Sequence, residues 1–147
     1  MRRWILPLAL VLACSKATPV PRDTQLWRVE GWTDVSDGIR TAPATIIVFR
    51  SSGEFVSLQT TVIERADETV YLLARAPRHA VVGRWSQSGE EVSVQRTKVS
   101  RPGDCGSAAF RVVGHSVDSS GVTYSPVTRL VAPEFESWLA GATAPCP

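Results

Sequence analysis

Short runs of β-branched and aromatic residues, alternating with polar ones and each cut off by a Gly, Pro, Ser or Asp cluster, govern what this chain can fold into. Within residues 54–64, Val56, Leu58, Thr60 and Val62 share one face while Ser57, Gln59 and Thr61 share the other. That two-residue period belongs to a strand with one wet face and one buried face. Comparable runs lie near residues 25–33, 44–50, 54–64, 69–75, 79–86, 91–99, 107–114 and 122–131. Turn signals separate them at Ser51-Ser52-Gly53, Ala66-Asp67-Glu68, Ala76-Pro77, Ser86 to Gly89 and Asp118 to Gly121, with Gly53 suited to the positive φ of a short hairpin loop. Loops of this size between short strands favour an antiparallel meander. A meander of about eight strands must hide its two edges, by closing into a barrel or folding into a sandwich. The expected fold class is therefore all-β, with a barrel placed before a sandwich. One stretch departs from this texture. Pro133-Glu134-Phe135-Glu136-Ser137-Trp138-Leu139 has proline in a first-turn position, early acids, and Phe135, Trp138 and Leu139 at helical spacing. It predicts a short C-terminal helix whose apolar stripe packs on the barrel.

The first residues follow another rule. Met1-Arg2-Arg3 leads into an apolar run from Trp4 to Ala13, broken by Pro7, and then Cys14. Such a run is too short for a hydrocarbon core, which takes about 20 residues. Two arginines, the apolar run and Val11-Leu12-Ala13-Cys14 together resemble a bacterial lipoprotein signal peptide. The resemblance implies cleavage of residues 1–13, acylation of the Cys14 thiol and of the newly freed amine, and a chain held on a membrane outside the cytoplasm. Ser15 stands where an aspartate often retains such proteins in the inner membrane; its identity favours the outer membrane and a domain facing the periplasm. One acyl chain binds a bilayer only marginally, so several are needed for a stable anchor. Residues 14–24, with Pro19 and Pro21 and few apolar groups, read as a lipidated tether, and residues 25–147 as one β-barrel domain.

The whole chain carries a formal charge of +2, which Arg2 and Arg3 account for, so the chain from Cys14 onward is neutral. A neutral chain without a basic block offers no footing to a phosphate backbone, which excludes nucleic acid as a partner. With Cys14 assigned to lipid, Cys105 and Cys146 remain as an even pair in a compartment that permits disulfides, and they are expected to bond. His79 and His115 stand far apart in sequence and no Cys-x-x-Cys pair accompanies them; no metal site and no cofactor is expected. His79 reads as an exposed strand residue, and His115 as the residue after a strand-ending glycine.

Two further resemblances bear on function. Pro102-Gly103-Asp104-Cys105-Gly106-Ser107 resembles the nucleophile loop of chymotrypsin-like viral cysteine proteases, which would make Cys105 a nucleophile and His79 or His115 its base. Only His79 lies upstream, 26 residues before Cys105, and too little chain precedes it for the preceding barrel of that family. A turn followed by a disulfide half explains the same residues. Gly83-Arg84-Trp85 with Ser88-Gly89-Glu90-Glu91-Val92-Ser93-Val94, together with Ser52-Gly53-Glu54-Phe55, resembles the small lipocalin-like barrels of bacterial envelope lipoproteins. There a strand ending in Gly-x-Trp leads through a glycine turn to the next strand, although lipocalins proper carry Gly-x-Trp on the first strand. The resemblance implies a glycine at a close backbone approach and Trp85 plugging one end of the barrel. The expected function is that of a lipid-anchored, non-enzymatic binding or structural module. Its working surface would be a barrel mouth lined by some of Trp27, Trp32, Tyr71, Trp85 and Phe110, receiving a small apolar ligand or an envelope protein; the alternative for each of these residues, and the one favoured because aromatics in strands chiefly pack, is ordinary core.

Overall fold

The computed structural model describes residues 16–67, 70–72, 79–127, 130–131 and 135–147; the side chains of 71–72, 130–131 and 135–138 lie outside that description. In chain order the strands are β1 (Leu26–Val29), β2 (Thr33–Ser36), β3 (Ile39–Phe49), β4 (Glu54–Glu64), β5 (Val70–Leu72), β6 (His79–Ser88), β7 (Glu91–Val99), β8 (Ser107–Val113), β9 (Ser116–Ser119), β10 (Val122–Pro126) and β11 (Leu130–Val131). Helix α1 (Phe135–Ala142) and β12 (Ala144–Pro145) follow, and a 3-10 turn at Pro102–Asp104 lies between β7 and β8. Eight of the strands close on themselves in the order β1-β3-β4-β6-β7-β8-β9-β10, with β10 returning to β1 and every neighbour antiparallel. This is an up-and-down barrel, and closure leaves its ring without an edge.

Strand alternation decides which side chains fill it. Leu26, Ile47, Phe49, Phe55, Val92, Val94, Phe110, Val112 and Val117 form one buried cluster inside the ring. Its centre is aromatic: Phe49 meets Phe55 at 5.2 Å, Phe110 at 5.4 Å and Trp85 at 5.8 Å between ring centroids. Offset and edge-on pairs of this kind add to plain area burial. Trp85 donates its indole N–H to the Arg50 carbonyl at 2.9 Å. It thereby closes the end of the barrel bearing the turns at 50–53 and 89–90. Gly83 is where β6 and β7 come too close for a side chain, since a Cβ there would lie 2.6 Å from the Gln95 carbonyl oxygen.

The same end is stoppered by the chain before β1. Val20 is buried in the aromatic cluster, and its N–H donates to the Gln87 amide oxygen at 2.9 Å while Gln87 Nε2 donates to the Thr18 carbonyl at 2.7 Å. Asp23 N–H donates to the Phe49 carbonyl, and its carboxylate accepts from the Ser51 hydroxyl and backbone N–H. Residues 18–23, assigned to the tether by their prolines, are thus part of the domain. One valine with a cavity to fill outweighs the turn-forming composition around it.

Outside the ring, alternate residues of β3, β4 and β6 form a second core, with Ile46, Val48, Val56, Leu58 and Ala80 buried against Leu139 of α1. The helix ends near its expected place, and Leu139 packs on the barrel as its spacing required; the side chains of Phe135 and Trp138 lie outside the described residues. β3 and β4 overrun the ring. Their far halves pair with β2 and β5, and β5 pairs in parallel with β11, so Ala42, Ala44, Val62 and Val70 pack there against Trp27, Val29 and Trp32. Arg40 stacks 4.5 Å over Trp32 and pairs with Glu64 at 2.6 Å. Among the described residues no helix is long and apolar enough to cross a membrane.

Candidate functional site

Opposite the stoppered end, the inward positions of the ring change from apolar to polar. Strand register places Arg28 opposite Thr45, Thr45 opposite Gln59, and Gln59 opposite His79, so one continuous row of polar residues crosses β1, β3, β4 and β6. Ser57 lies one inward step above Gln59 on β4. Arg96 faces inward from β7 opposite Gly83, just beyond the bulge between Val82 and Gly83. Thr45, Ser57, Gln59, His79, Val81, Arg96 and Asp104 enclose a depression of about 310 Å³, at the small end of ligand-site volumes.

The segment 100–106 forms one wall and is fastened from several directions. Ser100 exchanges bonds with Ala80, accepting its N–H on Oγ at 2.9 Å and donating its own N–H to the Ala80 carbonyl at 2.9 Å. His79 Nδ1 lies 3.0 Å from Asp104 Oδ2, and Arg96 Nη1 donates to the Asp104 carbonyl at 3.0 Å. Because a carboxylate only accepts, the first contact fixes the imidazole with its proton on Nδ1. Cys105 is bonded to Cys146 as expected, with α carbons 5.8 Å apart, and β12 pairs with β7 beside it. The wall is therefore fixed by contacts within the chain itself. At the rim, burial raises the Tyr124 hydroxyl above its ordinary pKa, Arg28 opposes that shift and Glu30 adds to it.

The residues expected to line a mouth lie elsewhere. Trp27 alternates with inward Leu26 and so faces outward, into the cores beneath α1 and the overrunning hairpin; a one-residue step flips a side chain to the other face. Trp32 packs there with it, at 6.2 Å between ring centroids. Phe110 and Trp85 do face inward but are packed at the stoppered end. The Tyr71 side chain and all of Cys14 lie outside the described residues. His79, expected on an exposed strand position, is half-buried in the polar mouth because it shares the face of Val81 and Gly83. His115 sits in the turn between β8 and β9, at the other end from Cys105.

Arg28, Thr45 and Arg96 were not singled out from sequence, and Ser57, Gln59 and Asp104 were read there as a wet strand face and a turn, not as residues of a mouth. A signal was present: Phe55 shares its face with Ser57 and Gln59, so the wet face of β4 is also the inner one, and the apolar face is the outer one covered by α1. Among the described residues, no three His, Cys, Asp or Glu side chains gather as a metal site would need. No family model, curated protein or solved structure matches this chain.

Proposed function

We propose that this protein is a lipid-anchored envelope protein that binds a small ligand without transforming it, at the polar mouth of its barrel. The observation that carries the reading is the asymmetry of the interior. One end is packed with aromatic side chains and stoppered by Val20. The other opens into a preformed polar depression of about 310 Å³. A filled apolar half leaves no room for the greasy ligand a lipocalin-like reading would suggest, and it moves the working surface to the polar half. The hydrolase alternative needs a free Cys105 thiolate. In the folded chain that sulfur is bonded to Cys146.

Native followed by denaturing mass spectrometry of protein extracted in detergent from its own host tests the proposal. The expected polypeptide begins at an acylated Cys14, is two hydrogen atoms lighter than its reduced form, and releases a non-covalently held small molecule on denaturation. Full-length polypeptide with Met1 attached and no acyl mass would overturn the anchor. A ligand-free native mass at saturating envelope extract would overturn the binding role.

A further inference from the structure

We infer that the mouth selects a small organic oxyanion, whose carboxylate or phosphate oxygens are received by Arg96. The inference rests on the mouth being the working surface and adds the charge class of the occupant. Arg96 is half-buried, yet among the described residues the one hydrogen bond of its guanidinium runs from Nη1 to the neutral carbonyl oxygen of Asp104. Among the described residues no carboxylate stands within ion-pair distance of it.

The acid that lines the same depression is already engaged: the Asp104 carboxylate is drawn to His79 at 3.0 Å. A guanidinium removed from bulk water without a counter-charge is unfavourable unless an anion completes it, and its planar fork matches an oxyanion with two parallel N–H bonds. Thr45, Ser57 and Gln59 line the same space, and among the described residues their side chains make no hydrogen bond to protein. Those groups supply donors and acceptors for a hydroxyl, carbonyl or second acid group on the same ligand. A volume near 310 Å³ suits a molecule of a few carbons. It excludes a lipid or a peptide of any length.

The test is an amide-resolved NMR titration of the full chain in detergent micelles, with sodium succinate, glycerol 3-phosphate and neutral sorbitol at one ionic strength held by chloride. At least one anion is expected to give saturable shifts centred on Thr45, Ser57, Gln59 and Arg96, and the stronger of the two identifies the oxyanion. Arg96→Gln is expected to weaken that binding by about tenfold or more. Gln59→Glu, which keeps side-chain shape and brings a negative charge into the mouth, is expected to do the same should Arg96→Gln disturb folding. Arg111→Gln, on the outer surface where Arg111 pairs with Glu90, is expected to leave it unchanged. No saturable shift with either anion overturns the inference. Shifts from sorbitol alone overturn the charge class and leave the mouth as a binding site, whereas anion shifts centred elsewhere overturn the site itself.

Discussion

At the level of single residues, one position shows how little slack the barrel has. Gly83 faces the Gln95 carbonyl so closely that a methyl group would stand 2.6 Å from the oxygen. Gly83→Ala must push β6 and β7 apart, and a destabilisation of about 1–3 kcal/mol is expected in urea unfolding. Asp23 shows the opposite, a gain from polarity. The Ser51 hydroxyl and then the Ser51 backbone N–H hold its carboxyl below the ordinary aspartate value. A group with a depressed folded pKa supports the folded state above its unfolded value and ceases to as pH falls through the folded one. The segment carrying Val20 is therefore expected to loosen in acid, below the ordinary carboxylate range. Titrating the Asp23 carboxyl by NMR should give a depressed midpoint that returns toward the ordinary value in Ser51→Ala; an ordinary midpoint in the parent chain would count against the contact.

For the elements, legibility depended on how much apolar surface each one buries. β4 buries Phe55, Val56, Leu58 and Val62 and β7 buries Val92, Val94 and Val99, and their observed ends, Glu54–Glu64 and Glu91–Val99, coincide with those expected. β9 was missed because Ser116-Val117-Asp118-Ser119 commits only Val117 to the interior. In a closed ring, backbone pairing on both sides makes up for what the side chains do not bury. Of the expected strand at 69–75 the described residues include Val70–Leu72, which lies outside the ring, the rest falling outside the described residues, so the number eight was reached with one strand exchanged for another. The mouth was hidden for a related reason: its polar residues come from strands far apart in sequence, and only register assembles them. β12 and the 100–106 segment depend on the disulfide. Its loop spans 41 residues, for which the chain-entropy model gives about 4 kcal/mol. Replacing Cys105 and Cys146 with alanine together is expected to lower stability by up to that amount in denaturant unfolding, and to raise amide exchange at Ser100 and Asp104 ahead of the aromatic cluster.

Taken whole, the molecule has a direction. Thr18 is already bonded to Gln87, and four residue steps from Cys14 to Thr18 reach at most about 14 Å. If Cys14 carries the lipid, the stoppered end rests near the bilayer and the polar mouth faces away from it. A fluorophore on Ser52→Cys, in the turn after β3, is then expected to be quenched by lipid-borne quenchers, while one on Ser120→Cys, in the turn between β9 and β10, is not; equal quenching would reject this orientation. The bond from Cys105 to Cys146 carries a further consequence, for the order of events in making the protein. One sulfur precedes β8 and the other follows every strand of the ring. The bridge can therefore close only in a chain that already contains every ring strand, so no shorter nascent or truncated chain can have its mouth locked in this way.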